Sequence, residues 1–182
     1  RQGNFYGFDF SSLIVSNTLI TDIFASSGNL IYAVANNQGI LVLDHKGTIS
    51  DASDDEFKLL TNVAGSGGLP TNDVICMQED LLGSLWVGTS EGVAVFYNQD
   101  AIFTSDSFDA EQIYITQDGN TQLLLQTEVV SAIKINGANE KWVGTTTGGL
   151  YLFSADGTQQ IYHFTKDNSP LPSNNIYDIA IN

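Results

Sequence analysis

The chain has 182 residues and a formal net charge of −15, from 21 acidic and 6 basic residues. This length is sufficient for one domain with a sizeable core. Nucleic-acid binding depends on Lys and Arg side chains that neutralise phosphates, and anionic membranes also attract basic segments. The charge therefore excludes nucleic acid as a partner. It restricts membrane association to partner proteins or to parts outside this sequence.

The composition indicates an all-β protein. Gly is frequent, with 17 residues, and Pro is rare, with 3, as suits short strands joined by tight turns. No segment has a sustained 3.6-residue apolar period and no apolar run reaches the length of a membrane span, so no substantial helix is predicted. The single cysteine, Cys76, lies in an apolar strand, and we interpret it as a small buried hydrophobic residue.

The first predicted elements are an outer strand within residues 1–15 and a repeat unit over about residues 16–62. Four strands are predicted in this unit from their apolar patterns: Ile20–Ala25, Leu30–Ala35, Ile40–Asp44 and Phe57–Thr61. Asp51, Asp54, Asp55 and Glu56 crowd the loop between the third and fourth strands. Their spacing does not match a calcium loop, so we interpret them as a solvated acidic loop.

A second unit covers about residues 63–120. It begins with a loop containing Leu69 and Pro70, followed by an apolar inner strand. An alternating strand then carries Trp86 and Gly88, and a third strand follows Gly92. An extra hairpin follows, with Asp118-Gly119-Asn120 as a turn that needs positive φ, and its returning strand is predicted over residues 121–126.

A third unit covers about residues 121–167 and repeats the second. Its inner strand is predicted over Val130–Ile135, and its alternating strand carries Trp142 and Gly144, with Gly149 before the next strand. A further unit begins within residues 168–182. Leu171 and Pro172 there repeat the earlier loop, and residues 176–181 are predicted as another inner strand.

The spacing of these units predicts a β-propeller. Trp86 and Trp142 are 56 residues apart, and Tyr32 lies at the matching place 54 residues before Trp86. Repeats of this length with several strands each are typical of propeller blades. We therefore predict one domain over residues 1–182, with about three four-stranded antiparallel blades and part of another.

A closed propeller has about four to eight blades, so an arc of a larger propeller is expected. The alternative is a small ring in which residues 1–15 pair with the last strand. In either case, Trp86 and Trp142 are expected to fill wedges between blades. Gly88 and Gly144 would then allow the neighbouring blade to approach closely.

The Leu-Pro loops supply the candidate ligand contacts. Pro70 and Pro172 fix the backbone and hold the preceding Leu extended. These loops are expected on one face near the propeller axis, where ligands commonly bind. The candidate contact residues are Asn72, Asp73, Asn174 and Asn175. The alternative is that they only form turns, since Asn and Asp side chains bond to nearby backbone.

No pattern in the sequence indicates catalysis. His45 and His163 lie far apart along the array, and no serine occupies a Gly-x-Ser-x-Gly elbow. No His or Cys cluster has metal spacing, and no phosphate loop is present. We therefore expect a protein that is not an enzyme and that has no cofactor or metal.

The segments 68–74 and 83–93 resemble the two-component regulator propeller repeat, which is abundant in extracellular sensor regions of Bacteroidetes hybrid histidine kinases. Segments 113–120, 135–145 and 163–176 are more narrowly similar to the two-propeller accessory proteins of the type IX secretion system. That resemblance implies a periplasmic or cell-surface protein that binds anionic lipopolysaccharide and assists the sortase. The broader one implies a glycan-sensing propeller as the alternative. Under either, the partner is a protein or a glycan.

Overall fold

The structure, a computed structural model, describes residues 7–117 and 119–181. It contains three four-stranded antiparallel sheets, which are the blades. The strands of blade one are β1 (Ile20–Ala25), β2 (Leu30–Ala35), β3 (Gly39–Asp44) and β4 (Glu56–Leu60). Blade three has β13 (Val130–Ile135), β14 (Lys141–Thr145), β15 (Leu150–Phe153) and β16 (Gln160–Phe164). The fold class predicted from the sequence, an all-β propeller, is confirmed.

Blade two is built from more segments than the other two. Its sheet contains β6 (Val74–Glu79), β7 (Leu85–Thr89), β8 (Gly92–Phe96) and the short outer strand β10 (Glu111–Gln112). Two further pairs accompany it: β5 (Ser66–Gly67) with β9 (Phe108–Asp109), and the hairpin of β11 (Tyr114–Gln117) and β12 (Asn120–Leu123). A short 3₁₀ helix, Gln99–Ala101, precedes β9 and is the only helix in the described residues.

Alternation along the second strand of each blade directs side chains toward two different neighbours. In β7, Leu85 and Val87 belong to the core cluster shared with blade one, which includes Tyr32. Trp86, between them in sequence, belongs to the cluster shared with blade three. We call the surface toward the preceding blade the front face and the surface toward the following blade the back face. Inter-blade packing therefore forms the core.

Glycines set how closely the blades approach. A Cβ atom on Gly88 would lie 2.7 Å from Cγ1 of Val130 in the inner strand of blade three. A Cβ atom on Gly144 would lie 2.5 Å from Cγ2 of Ile176. Because these two contacts are equivalent, residues around Ile176 occupy the inner-strand place of a fourth unit.

A second glycine recurs at the start of the third strand. Gly92 and Gly149 have φ of 93° and 97°. A Cβ atom on them would collide with the carbonyl oxygens of Leu124 and Phe164, at 2.7 and 2.3 Å. Side chains rarely adopt this backbone region, so the turn from second to third strand requires glycine.

The hairpin β11–β12 interrupts the outer strand of blade two. β10 pairs with Val95 and Ala94 of β8, and the chain then leaves the sheet. After the hairpin, Leu124 returns to the sheet, where its carbonyl accepts a hydrogen bond from the amide of Val93 (3.4 Å). The boundary proposed at residues 120/121 therefore falls at the start of β12, within one hairpin. The other predicted boundaries between repeat units stay predictions.

Two predicted strands are absent from the described residues. Residues 7–15 form turns, and Phe10 packs edge-on against Phe57 of β4 at a centroid distance of 5.1 Å. Residues 1–6 of that prediction, like Asp118 of the hairpin turn, lie outside the described residues. Residues 171–181 pair with no strand in the described chain. In each blade the inner strand pairs with the second strand of the same blade, and no second strand follows these residues in the part described. The described parts of the two termini also show no pairing with each other.

Candidate functional site

The predicted contact residues of the two Leu-Pro loops are mainly engaged with the backbone. Oδ1 of Asn72 accepts a hydrogen bond from the amide of Asn62 (2.7 Å), and Oδ1 of Asn174 accepts one from the amide of Lys166 (2.8 Å). Both asparagines thus tie their own loop to the end of the preceding outer strand. Their side-chain oxygens stabilise turns, and only the amide NH₂ groups remain for a ligand.

The neighbouring candidates have freer side chains. The carbonyl of Asp73 accepts a bond from the amide of Ser90 (3.1 Å), while its carboxylate has no hydrogen bond within the described residues. The backbone of Asn175 exchanges hydrogen bonds with the hydroxyl of Ser173. No hydrogen bond joins Asp73 to Asn175 in the part of the chain described. The structure therefore does not assemble these candidates into one contact cluster.

The motif residues of these loops differ in exposure. Leu69 is buried in the core shared by blades one and two, and Pro70 beside it is half-buried. In the later loop Leu171 is half-buried and Pro172 is exposed. The first loop is also held by Asp109, whose carboxylate accepts hydrogen bonds from the amides of Gly65 and Gly67.

A buried polar cluster lies between blades two and three, around Trp86. The indole Nε1 donates to Oδ2 of Asp80 (3.0 Å), and the same oxygen accepts from Nζ of Lys141 (3.0 Å). Lys141 Nζ also donates to the carbonyl of Asn139 (2.7 Å) and lies 4.7 Å from the centroid of the Trp86 ring. Lys141 is fully buried. The ion pair and the cation–π contact therefore join two blades.

Burial and hydrogen bonding act on both charges of this pair. Burial opposes ionisation of Asp80, but hydrogen bonds from Ser84, Lys141, Leu82 and Trp86 outweigh it, so its pKa is lowered. Burial also lowers the pKa of Lys141, and Asp80 offsets part of that effect. Lys141 has no solvent access, so its amine is not available for reaction with a substrate. The cluster is therefore a structural link between the two blades.

This cluster was not among the predicted sites. Lys141 stands where β7 has Leu85, so a charged residue occupies an otherwise apolar front-face position. A lysine at a position that is apolar in the preceding repeat was the sign of this cluster in the sequence. Asp80 lies in the turn before β7, and nothing in the local pattern shows that it faces Lys141, 61 residues later. Trp142, the counterpart of Trp86, is half-buried and stacks on Phe164 at a centroid distance of 6.0 Å.

The other residues with potential chemistry are held apart. Burial raises the pKa of the Cys76 thiol to about 12, which disfavours the reactive thiolate. Nε2 of His163 is bonded to the carbonyl of Gly148 (2.7 Å) in blade three, and His45 follows β3 in blade one. Within residues 7–117 and 119–181, no group of three or more His, Cys, Asp or Glu side chains is placed to hold a metal ion.

Known structures share this arrangement of blades. PorZ, an essential bacterial surface component of the type IX secretion system of Porphyromonas gingivalis, superposes with a TM-score of 0.77 and 27% identity. The match covers 90% of this chain and 23% of PorZ. No protein-family profile and no curated protein matches the sequence.

Sensor domains match less closely. The extracellular domain assigned to the hybrid two-component system BT3049 of B. thetaiotaomicron has a TM-score of 0.62 and 20% identity. That alignment covers 88% of this chain and 18% of the sensor. The extracellular domain of BT4673 has the same TM-score at 13% identity, covering 87% of this chain and 20% of that one. At these identities the two sensors share the fold alone.

The structural comparisons confirm both resemblances seen in the sequence. The chain is similar to PorZ and to the extracellular propellers of two-component systems, and it spans about a quarter or less of each of these proteins. All of these neighbours are surface or extracellular proteins, in agreement with the predicted extracytoplasmic location. In the described residues, no helix has the length and apolar character of a membrane span.

Proposed function

We propose that this chain is a non-enzymatic binding and scaffolding part of a propeller in the bacterial cell envelope, acting in type IX secretion. The observation that carries the proposal is the match to PorZ, at 27% identity over 90% of the chain with a TM-score of 0.77. Both values exceed those of the sensor propellers. In this role the whole protein binds anionic lipopolysaccharide and assists the surface sortase that attaches secreted cargo.

The charge distribution supports the scaffolding part of that role for this chain. Three of its lysines are already engaged: Lys46 with Asp44 and Glu56, Lys58 with the carbonyl of Ile102, and Lys141 with Asp80. An anionic glycolipid would therefore meet a surface with a large excess of carboxylates, which repels it. We infer that lipopolysaccharide contacts lie in other parts of the protein and that this chain contacts a protein partner.

A gene deletion in the source bacterium tests the proposal. Loss of the protein is expected to leave secreted cargo unattached to the surface and unprocessed by the sortase, which immunoblots of cell-surface and periplasmic fractions would show. Re-expression of the whole protein should restore surface cargo. Normal cargo attachment in the deletion strain would contradict a role in secretion.

The alternative is a glycan-sensing propeller of a hybrid two-component kinase, favoured by the fold shared with the BT3049 and BT4673 extracellular domains. The same deletion strain separates the two roles. A sensor would leave cargo attachment intact and abolish the transcriptional response to one glycan, measured by RNA sequencing after a change of carbon source.

A further inference from the structure

The turn from β6 to β7 in blade two differs from its counterparts in the other blades. It carries Leu81 and Leu82, the residues five and four places before Trp86. Leu81 is 65% exposed and Leu82 is 82% exposed. The corresponding pairs in blades one and three are small residues: Ser27-Gly28 and Gly137-Ala138. Blade two alone therefore displays two large apolar side chains here, and neighbouring exposed apolar groups mark interaction surfaces.

This turn is fixed, because every backbone amide from Asp80 to Ser84 donates a hydrogen bond. The amides of Leu82 and Ser84 donate to Oδ1 of Asp80 (2.9 and 3.0 Å). The amide of Leu81 donates to Oδ1 of Asn139 in blade three (2.9 Å). The other two amides donate to carbonyls within the turn. The turn is thus ordered before any partner arrives, which lowers the entropic cost of binding.

A cleft of about 360 Å³ lies between this turn and blade one. Leu82 lines it from blade two, and residues 26–30, at the β1–β2 turn, line it from blade one. The carboxylate of Glu79 accepts hydrogen bonds from the amide and the hydroxyl of Ser27 (2.8 and 2.9 Å) and from Nε2 of Gln99 (2.9 Å). These bonds join the two blades across the cleft, so its shape is fixed.

The remaining lining residues offer an aromatic ring and unbonded polar groups. Tyr97 borders the cleft and is 49% exposed. Asp100 also borders it, and its exposed carboxylate makes no hydrogen bond within the described residues. The side-chain amides of Asn29 and Asn98 are likewise exposed and unbonded in that part of the chain. No described Lys or Arg lines the cleft, and Glu79 adds to the charge of Asp100, so the cleft is negative.

We propose that this cleft binds an arginine side chain of a protein partner, and that the partner covers Leu81 and Leu82 with apolar surface. A guanidinium group stacks on an aromatic ring such as that of Tyr97 and forms two hydrogen bonds with a carboxylate such as that of Asp100. The aliphatic stem of the arginine would lie along Leu82. An anionic group would be repelled, and a purely apolar group would leave Asp100 desolvated.

The charge of the whole chain favours the same kind of partner. With 21 acidic and 6 basic residues, the chain attracts a basic protein surface over a distance and speeds its association. Arginine and aromatic residues are also enriched at the centres of protein interfaces. The assignment gives the protein partner inferred above a contact surface and a chemistry, and it rests on the proposed function.

A pair of peptides tests the chemistry. The probe is the peptide Gly-Leu-Arg-Leu-Gly with a neutral fluorescent dye at its N-terminus and an amidated C-terminus. Its control has citrulline, the uncharged isostere of arginine, in place of the arginine. In fluorescence anisotropy with the whole protein, the arginine peptide should bind about 2- to 5-fold more tightly at low salt, as expected for one ion pair open to solvent. Added salt should reduce that difference.

Matched variants test the location. Asp100→Asn should abolish the preference for arginine over citrulline. Leu82→Ser should weaken the binding of both peptides by about 3- to 10-fold, because apolar contact is lost. Asp106→Asn changes an exposed carboxylate outside the cleft, and Val63→Ser changes an exposed apolar residue outside it, so both should bind as the wild type does. Thermal melting of each variant confirms that it folds.

Two results with the peptides would overturn the proposal. Equal binding of the arginine and citrulline peptides, or no binding of either, would reject the arginine site. An equal loss of the arginine preference in Asp106→Asn and Asp100→Asn would show that the peptide responds to the net charge of the protein and not to the cleft.

Complementation of the deletion strain separates this proposal from the function on which it rests. The whole protein with Leu82→Ser and Asp100→Asn should reach the surface in normal amount and leave cargo unattached, whereas Val63→Ser with Asp106→Asn should restore attachment. Full restoration by the first double variant would reject the docking surface and leave the proposed function intact. Normal attachment in the deletion strain itself, with the peptide results as expected, would reject the role in secretion and leave the docking surface in place.

Discussion

At the residue scale, the buried pair of Asp80 and Lys141 has the largest expected effect on stability. Replacing Asp80 by Asn leaves the ammonium of Lys141 buried without a counter-charge, which typically costs about 3–5 kcal/mol. We expect Asp80→Asn to lower the free energy of unfolding, measured in urea, by that amount. An unchanged midpoint would show that Lys141 has access to water or another partner.

The double variant isolates the pair. Leu is the residue that blade two has at the position of Lys141, so Lys141→Leu is the natural replacement. Asp80→Asn combined with Lys141→Leu should lose less stability than the sum of the single variants, with a coupling of about 0.5–3 kcal/mol. Strict additivity would mean that the two side chains do not interact in solution.

The same pair predicts a dependence on pH. The folded-state pKa of Asp80 is lowered, so its contribution to stability is fully present above the unfolded value of about 3.9 and is lost as pH falls through the folded value. The stability gap between wild type and Asp80→Asn should therefore be constant near neutral pH and shrink at pH below about 4. Urea unfolding over a pH series measures this gap.

An exposed carboxylate provides the control for the pH series. Asp106 is exposed and makes no hydrogen bond in the described chain. Asp106→Asn should have the same free energy of unfolding as the wild type at every pH. A gap of constant size between wild type and Asp80→Asn down to strongly acid pH would contradict the assigned role of the carboxylate.

At the element scale, close approach between blades depends on one glycine in each second strand. Gly88→Ala would place Cβ 2.5 Å from Sγ of Cys76 and 2.7 Å from Val130. Overpacking of this kind costs about 1–3 kcal/mol, and we expect that loss in Gly88→Ala by thermal or urea unfolding. Gly137→Ala, where nothing lies within 4 Å, is the matched control. Equal stability of the two variants would contradict tight packing of blade two on blade three.

The parallel pair β5–β9 ties the first Leu-Pro loop to blade two. The carboxylate of Asp109 accepts hydrogen bonds from the amide of Gly65 at 2.7 and 2.8 Å and from that of Gly67 at 3.3 Å. Asp109→Ala removes these hydrogen bonds, and because water can reach the freed amide of Gly65 the cost is that of an ordinary hydrogen bond, about 0.5–1.5 kcal/mol. Hydrogen exchange of both amides should accelerate. If these amides exchange as slowly in Asp109→Ala as in the control variant Asp106→Ala, other contacts hold the loop.

The local sequence pattern predicts the elements well and their long-range partners poorly. Trp86 with Gly88 and Trp142 with Gly144 reveal the repeat, because alternation and turn glycines are local properties. The pairing of β5 with β9 joins two-residue segments about 40 residues apart, too short for a pattern to register. The ion pair of Asp80 and Lys141 was not predicted either, because the turn before β7 and the first residue of β14 meet only in three dimensions.

At the scale of the whole molecule, the front face of blade one differs from the front faces of the other blades. Leu85 and Val87 in blade two are buried against the preceding blade, and Ile31 and Ala33 hold the equivalent places in blade one. These two residues line an apolar groove of about 350 Å³, and Phe8 and Phe10 are its only lining residues from the described segment before β1. An apolar surface of this kind favours self-association.

The exposed rim of that groove allows a test. Ile23, in the inner strand β1, is 67% exposed and lines the groove. We expect the chain to self-associate with rising concentration in sedimentation velocity, and Ile23→Lys to shift it toward monomer by charging the surface. Val63→Lys changes a similarly exposed apolar residue outside the groove and should leave the association unchanged. If Val63→Lys disrupts association as strongly as Ile23→Lys, net charge and not the blade face controls it. A chain that is monomeric at all concentrations would show that the groove is covered in solution.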